Sequence, residues 1–348
     1  MNKNVTESTF IREFVDRSKN IKRKIAFSDG NDIRLIKALD YFQDYNNSSF
    51  YLIGSQTGIA EKIKEAGIKN TDRFYIIDPA ASKDRNDYKS IIKSSFEKRN
   101  KEISDEKLDE NVLSPSYWAS VMLKNSQVDC AVGGSISSTA DLMRAVINVL
   151  GLSGGKKTLS GAAFVEVPDC NFGIKGKFLV SDPAIIPQPT EDQLVDMALS
   201  GYETAKGVFS QEPVVALLSY STKGSAKSDE FYKIQNAVQR VKKIYPDVII
   251  DGGLQFDAAI VPEVASIKCP DSPVKGKANV LIFPEINSAN IGYKIIQRLA
   301  KAEVCGTVVL GAAKPFNDLS RGCLVEDIVA LISMTLMQLK GMEDAGLI

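Results

Sequence analysis

The feature that most constrains the fold of this chain is a regular alternation of short apolar runs with amphipathic stretches. Residues 24–27 and 74–77 have the length and the apolar content of buried strands. Residues 33–45 carry apolar side chains at helical spacing. Because strands that alternate with helices form parallel sheets covered on both faces, the pattern predicts an α/β fold.

The alternation continues through 348 residues, a natural length for two α/β domains. Further strands are predicted at residues 50–53, 128–132, 214–218, 248–250, 280–283 and 307–310, and further helices at residues 191–208, 231–244, 289–301 and 324–338. The Gly-rich stretch at residues 151–157 is the best candidate for a crossover between the domains. Its spacing does not fit a nucleotide-binding P-loop, and no G-x-G-x-x-G motif follows a predicted strand.

Composition removes several classes of function. The chain contains no histidine, which excludes Ser-His-Asp and Cys-His catalysis and every zinc site that uses imidazole. Lys plus Arg and Asp plus Glu both number 43, so no overall charge attracts nucleic acid or an anionic membrane surface. Any proton transfer therefore needs a carboxylate, Lys, Tyr or Cys, and neither nucleic acid nor a membrane is an expected partner.

The five cysteines are scattered and odd in number, which favours free thiols in a reducing compartment over disulfides or a metal site. No stretch has the length and hydropathy of a signal peptide or a membrane span. We therefore expect a cytoplasmic protein.

Four polar, Gly-containing loops follow predicted strands, where ligands bind in open α/β sheets. They cover residues 133–144, 219–227, 283–298 and 314–327. In the first loop, successive N–H groups can bind an anion, and Arg144, in the first turns of the next helix, can reach back to a phosphate. The second loop combines small hydroxyl residues with lysine and glycine, which suits an anion equally well. Taken alone, each loop is also compatible with an ordinary solvent-exposed turn.

The third loop places Asn287 and Asn290 before a helix and Arg298 two to three turns further along it. A cation that deep in a helix is more often a surface ion-pair partner than a ligand contact.

The fourth loop is the most distinctive, because Ser320 and Arg321 stand just before a glycine and Asp327 lies early in the last long helix. Helical spacing puts Asp327 beside Leu324 and Leu331. We expect this apolar wall to make the carboxylate a stronger base than a solvated one. The alternative is an ordinary aspartate that stabilises the helix dipole.

Together these segments resemble the phosphate acetyltransferase family over nearly the whole chain. The most specific are STKGSAK at residues 221–227, DGGLQFDAAIVPEVA at 251–265, SPVKGKANVLIFPEINSANIGYKIIQR at 272–298 and KPFNDLSRGC at 314–323. The segment SDPAIIPQPTEDQ at residues 181–193 is similar to a proline-rich hairpin of the family's second domain. FSDG at residues 27–30 departs from the PEG-like turn usual in the family.

The resemblance implies two α/β/α domains with mainly parallel sheets and an interdomain cleft, as in isocitrate and isopropylmalate dehydrogenases. Residues 1–154 and 307–348 would form the first domain, and residues 155–306 an inserted second domain. It also implies a homodimer that transfers acetyl reversibly between coenzyme A and inorganic phosphate, through acetyl phosphate. Coenzyme A is then a substrate, and neither a metal nor another cofactor is expected.

Position by position, Ser320 and Arg321 match the family's catalytic Ser-Arg pair, and Asp327 matches its proposed general base. The candidate substrate contacts, which combine cations with small polar residues, are Arg144, Arg298, Arg99, Ser221, Thr222, Lys223, Gly224 and Asn290. In the mechanism we expect, Asp327 takes the thiol proton of coenzyme A, and the thiolate attacks the acetyl carbonyl directly. Arg321 binds the phosphoryl oxygens and Ser320 donates to the developing oxyanion. Cys323 is the candidate for an acyl-enzyme, but no histidine can activate it.

Three alternatives remain open at this point. Phosphate butyryltransferase uses the same chemistry on a longer acyl group, and the acyl pocket cannot be identified from the sequence. An oxidoreductase of the same fold would need a nicotinamide site, for which no motif is present. A non-catalytic regulatory or oligomerisation module could dispense with the serine, arginine and aspartate that this chain contains.

Overall fold

A computed structural model describes residues 9–224 and 228–348, which form two compact units. The first unit contains the residues up to Gly154 together with Ala312–Glu343, and the second contains Gly155–Gly311. The chain thus passes between the units within the Gly-rich stretch. The second unit extends to Gly311, beyond the boundary expected at residue 306, because the strand Glu303–Leu310 pairs with Ser160–Glu166.

The first unit contains a parallel sheet, and its helices alternate with the strands along the sequence. Its elements are α1 (Thr9–Ser18), β1 (Lys24–Phe27), α2 (Ile33–Phe42), β2 (Ser49–Ile53), α3 (Gln56–Ala66), β3 (Phe74–Ile77), α4 (Arg85–Glu97), α5 (Asp105–Leu113), α6 (Pro115–Lys124), β4 (Cys130–Gly133), α7 (Thr139–Ala145) and a π-helical turn (Val146–Leu150). The strands run in the order β3-β2-β1-β4 and end with the late strand Phe316–Asp318, every neighbouring pair being parallel. The last long helix, Val325–Asp344, is buried along most of its length, which explains its apolar sequence.

The second unit adds an antiparallel portion to a parallel sheet. Its elements are β5 (Ser160–Glu166), β6 (Lys177–Ser181), α8 (Glu191–Val208), β7 (Val214–Leu218), α9 (Asp229–Ile244), β8 (Ile249–Leu254), α10 (Phe256–Ile260), α11 (Pro262–Lys268), β9 (Val280–Ile282), α12 (Ile286–Leu299) and β10 (Glu303–Leu310). After β10 the chain returns to the first unit, where it forms β11 (Phe316–Asp318) and α13 (Val325–Asp344). The strand order is β10-β5-β6-β9-β7-β8, with β5 antiparallel to both neighbours and the other pairs parallel. The predicted α/β class with mainly parallel sheets is confirmed.

The proline-rich segment at residues 181–193 is not a hairpin. Ser181 ends β6, and α8 begins at Glu191 behind a capping box in which the side chains of Thr190 and Gln193 each accept a backbone N–H of the other. Between them, the carboxylate of Asp182 accepts the backbone N–H groups of residues 184, 185 and 186. This local hydrogen bonding forms a compact loop instead of a second strand.

Within the described ranges, 9–224 and 228–348, none of the helices is both long enough and apolar enough to cross a membrane.

Candidate active site

Three neighbouring strands of the first unit, β1, β4 and β11, end at one edge of its sheet. They are parallel, with Phe27 beside Val132 and Asp318 beside Gly133. The loops that follow them therefore begin next to each other, although the chain segments are far apart in sequence. This edge brings the predicted Ser320–Arg321 pair beside the loop after β4.

The loop after β4 binds a carboxylate of the protein itself, that of Asp29. The carboxylate of Asp29 accepts the backbone N–H groups of Ser135 at 2.9 Å, Ile136 at 3.4 Å and Ser137 at 3.3 Å. Asp29 is only 8% exposed. The expectation that these N–H groups bind an external anion is wrong, because an internal carboxylate already uses them.

Arg34, at the start of α2, joins the two loops. Its Nη1 donates to the carbonyl oxygens of Arg321 at 2.8 Å and Cys323 at 2.9 Å, while Nη2 donates to the carbonyl of Ser135 at 2.8 Å. Burial alone would raise the pKa of Asp32, but hydrogen bonds from the side chain and the backbone of Arg34 lower it below its ordinary value. The ionised Asp32 in turn holds the guanidinium through a 2.7 Å contact, so the backbone that carries Arg321 is clamped.

The side chain of Arg321 is attached to this clamped backbone. It is exposed, and its guanidinium makes no hydrogen bond or ion pair within the described part of the chain. Ser320 is also exposed, and its hydroxyl accepts the N–H of Gly322 at 3.2 Å. An unengaged guanidinium beside an exposed hydroxyl is a group that can bind an anion from solution.

The expected burial of Asp327 is wrong. Asp327 is exposed, and Leu324, one side of the predicted apolar wall, is 65% exposed. The carboxylate instead accepts the N–H of Leu324 at 2.8 Å, because the first turn of a helix leaves its N–H groups without helical partners. Asp327 therefore closes the turn between Ser320 and α13 and remains accessible to a ligand.

Cys323 is poorly suited to form an acyl-enzyme. The residue is buried, and burial raises the pKa of its thiol despite the nearby Arg34. A thiol that resists ionisation is a weak nucleophile, which agrees with the expectation of direct transfer.

Asp318, which the sequence did not single out, is buried at the centre of this edge. Burial raises the pKa of Asp318 to about 6; the hydrogen bond from Thr139 opposes this shift, and the nearby Asp29 adds to it. Asp29 carried a local signal, because it lies two residues after the apolar strand β1, whereas Asp318 carried none, because it belongs to the short strand β11, which has no apolar pattern. Neither sequence position alone shows that the two strands are neighbours.

Arg144 and Arg99 also lie in the first unit. Arg144 is the sixth of the seven residues of α7, within its first two turns as expected, and it forms an exposed ion pair with Asp141. Arg99 follows α4, and the absence of a side chain at Gly151 leaves room for its guanidinium. Burial lowers the pKa of Lys124, and the positive charges of Lys98 and Arg99 lower it further, so three cations lie close together here.

In the second unit, the loop after β7 is partly neutralised. Lys223 has a positive φ of 51° and forms an ion pair of 2.5 Å with the buried Asp251. Thr222 is held to Gln255 by two hydrogen bonds, whereas the buried hydroxyl of Ser221 has no partner among the described residues. Gly224 follows with a φ of 79°, a conformation that favours glycine. The remainder of STKGSAK, residues 225–227, lies outside the described residues.

The two candidates on α12 occupy opposite ends of that helix. Asn287 and Asn290 lie within it instead of before it, because Glu285 caps the first turn through the N–H groups of Asn287 and Ser288. Asn290 donates to the carbonyl of Pro183 at 2.9 Å. Arg298 is exposed in the last turn, without a hydrogen bond or ion pair in residues 9–224 and 228–348.

These features define an α/β protein whose exposed arginine and serine stand at the carboxyl edge of a parallel sheet, the arrangement of an enzyme that handles an anionic substrate. Residues 9–336 match the family model described as Phosphate acetyl/butaryl transferase. The chain therefore belongs to this family of transferases, and the resemblance found in the sequence is confirmed.

Individual relatives agree with the family assignment. The chain is 40% identical to the phosphate acetyltransferase of Clostridium acetobutylicum, over 92% of this chain and 96% of the relative. It is 33% identical to a phosphotransacetylase structure from Streptococcus pyogenes, with a TM-score of 0.86 and coverage of 96% and 99%. A Salmonella typhimurium structure assigned as a 4-hydroxythreonine-4-phosphate dehydrogenase shares 10% identity and a TM-score of 0.51 over 91% of this chain and 99% of its own, which shows a common fold alone.

Proposed function

We propose that this protein transfers acetyl reversibly between coenzyme A and inorganic phosphate. The observation that carries the proposal is the exposed guanidinium of Arg321 beside Ser320, which has no partner among the described residues and stands on a backbone clamped by Arg34. Family membership and the names of the relatives support the same chemistry. Coenzyme A is a substrate in this reaction and not a resident cofactor.

The proposed reaction is a direct transfer within a ternary complex. Arg321 binds the phosphoryl oxygens of acetyl phosphate through its planar fork, and Ser320 donates to the carbonyl oxygen as negative charge develops there. Asp327 takes the thiol proton, and its exposed position leaves it accessible to coenzyme A. Arg99, Arg144 and Arg298 offer further positive charge for the phosphates of coenzyme A.

The test is to mix the purified protein with coenzyme A and acetyl phosphate, and to follow the absorbance of the thioester bond. We expect thioester to form with acetyl phosphate faster than with butyryl phosphate at equal concentration, because the relatives at 37–40% identity carry acetyltransferase names. Faster turnover of butyryl phosphate would favour the longer-chain alternative. No turnover of either compound would contradict the proposal and favour a non-catalytic module.

The Asp327→Asn variant is the control for the base in the same assay. We expect its kcat to fall by about a hundredfold or more, the usual contribution of a general base. Activity close to that of the unmodified protein would remove Asp327 from the mechanism without affecting the assigned reaction.

We also propose that the protein is a homodimer and that α12 contributes to the interface. Ile291, Ile295 and Leu299 are spaced by four residues on one face of this helix and are 57%, 51% and 82% exposed. A contiguous apolar stripe of this kind is typical of a protein contact.

Light scattering after gel filtration tests the dimer. We expect Ile295→Lys to weaken dimerisation by about a hundredfold, because a charge would enter an apolar contact. Leu113→Lys, which changes an apolar residue in the first unit that is 42% exposed, is the control and should leave the dimer intact. A monomeric unmodified protein, or a dimer that is insensitive to Ile295→Lys, would contradict this interface.

The cytoplasm is the compartment that we propose, since all five cysteines are free thiols.

A further inference from the structure

The contact between Thr139 and Asp318 has no part in the reaction as described so far. Asp318 is 6% exposed, and its Oδ2 accepts a hydrogen bond from the hydroxyl of Thr139 at 2.5 Å. Its other oxygen, Oδ1, has no hydrogen-bond partner within residues 9–224 and 228–348. Thr139 itself is exposed at the beginning of α7. A buried carboxyl group is thus connected to the surface through one hydroxyl group.

The backbone around this carboxyl group is shaped to contain it. Gly134 has a φ of 90°, and a Cβ at this position would lie 2.0 Å from Oδ1 of Asp318. Any other residue at position 134 would displace the carboxyl group. The local structure therefore retains a buried, incompletely hydrogen-bonded acid, an arrangement that costs folding free energy and is common at functional sites.

The contact lies at the edge of the sheet that carries the proposed phosphate site. Asp318 ends β11, two residues before Ser320, and Thr139 belongs to the loop and helix that follow β4. Arg34 binds the backbone of both segments, at Ser135 and at Arg321. The hydroxyl of Thr139 is thus carried by a segment tied to the one that carries Arg321.

Both protonation states of Asp318 are accessible near neutral pH. Burial raises its pKa to about 6, and the negative charge of Asp29 contributes in the same direction. A bound phosphate close by would favour the protonated form further. The charged groups on the surrounding elements are Asp29 after β1, Asp32 and Arg34 at the start of α2, Asp141 and Arg144 on α7, and Arg321 and Asp327 after β11.

The proposed reaction needs a second proton transfer in addition to thiol deprotonation. When the thiolate attacks acetyl phosphate, the bond between the acetyl carbon and the phosphate oxygen breaks. The departing phosphate then gains a negative charge unless that oxygen receives a proton. A buried acid and an exposed base, held in different environments, can divide these two transfers between them.

We propose that Thr139 and Asp318 form a proton relay that protonates the departing phosphate, a role that rests on the acetyl transfer proposed above. When Asp318 is protonated, its Oδ2–H donates to the Thr139 oxygen, the reverse of the hydrogen bond made by the ionised form. As the carbon–oxygen bond breaks, the leaving oxygen takes the hydroxyl proton of Thr139, and Asp318 passes its own proton from Oδ2 to the Thr139 oxygen. A proton from solvent then returns to Asp318 through the hydroxyl group of Thr139. In the opposite direction, the relay accepts the proton of phosphate as it attacks acetyl-CoA.

The test compares Thr139→Val, which removes the hydroxyl group, with Thr139→Ser, which keeps it. We expect Thr139→Val to lower kcat by about a hundredfold or more in both directions, with the KM values of acetyl phosphate and coenzyme A within about threefold of the original. Thr139→Ser should recover most of this loss. Because Thr139 is exposed, neither substitution opens a cavity in the core, and thermal unfolding verifies that both variants fold.

The pH profile separates the relay from a purely structural role. Thioester synthesis needs protonated Asp318, so its rate should fall as the pH rises through the pKa of this group. Phosphate attack needs the ionised form, so its rate should fall as the pH drops through the same pKa. The Asp318→Asn variant should lose most of its activity, and its remaining rate should no longer depend on pH around this pKa in either direction.

The possible results distinguish the relay from the acetyl transfer itself. An active unmodified protein whose Thr139→Val variant keeps its kcat within about threefold would overturn the relay alone. A lower kcat in Thr139→Val with both pH limbs unchanged would also overturn it, because the loss would then be structural. An unmodified protein without any turnover would overturn the acetyl transfer, and the relay with it.

Discussion

Replacing Arg321 by alanine should lower kcat for acetyl transfer by about a thousandfold, the largest loss of activity that we expect from one side chain. Its guanidinium is exposed and has no partner in residues 9–224 and 228–348, so its positive charge is available to the substrate. Because Arg34 and Asp32 clamp the backbone and not the guanidinium, removal of the Arg321 side chain should leave the loop in place. The measurement is the rate of thioester formation at saturating substrates.

The Arg321→Lys variant is the matched control, because it separates the effect of the positive charge from that of the guanidinium shape. Lysine keeps the positive charge but loses the planar fork that binds two phosphoryl oxygens at once. We therefore expect it to recover only part of the activity and to raise the KM of phosphate more than the KM of coenzyme A. Full activity in Arg321→Ala would leave the family assignment intact but would show that phosphate binds elsewhere.

Replacing Lys156 by methionine should reduce the free energy of unfolding by about 3–5 kcal/mol, the largest effect on stability that we expect. The side chains of Lys156 and Glu203 are only 4% and 10% exposed, and their charged atoms are 2.9 Å apart. Glu203 also accepts the hydroxyl of Tyr245 at 3.0 Å. Without Lys156, the hydrogen bond from Tyr245 alone would have to offset the cost of burying the charged carboxylate of Glu203, and one hydrogen bond is too weak to do so.

The neighbouring Lys157 provides a control for this substitution. Its side chain is exposed, so Lys157→Met should change the free energy of unfolding by no more than about 0.5 kcal/mol. The double variant Lys156→Met with Glu203→Leu should recover much of the lost stability, because it removes the uncompensated charge. Chemical denaturation measures all three variants. A loss below about 1 kcal/mol in Lys156→Met would show that the pair is hydrated in solution.

Lys156 also illustrates how far local sequence can be interpreted. The stretch at residues 151–157 contains the point where the chain passes between the units, as its glycines indicate. Yet nothing near Lys156 in sequence identifies its buried partner, because Glu203 lies 47 positions away on α8. The same lysine-rich pattern could equally belong to a solvated linker.

Most strands were predictable from the sequence, but among the helices only α2, α8, α9, α12 and α13 were predicted. Strands β1, β3 and β7 and helix α8 have the predicted boundaries, since the apolar periodicity and the capping residues that define them are local. Strands β5, β6 and β11 were missed. β5 and β6 form the antiparallel portion of the second sheet, and β11 has only three residues, so partners distant in sequence stabilise them.

The chain by itself determined the fold class, the family and the residues with the most distinctive chemistry, Ser320, Arg321 and Asp327, because periodicity and ordered motifs are properties of neighbouring residues. Only the tertiary structure decided which charges remain available to a ligand. Where the parallel strands β1, β4 and β11 end, the carboxylate of Asp29 accepts the N–H groups expected to bind an anion, and Asp318 is buried. Arg321 is left without a partner among the residues that the structure describes. Solvation and ion pairing depend on distances between segments far apart in sequence, which no local pattern encodes.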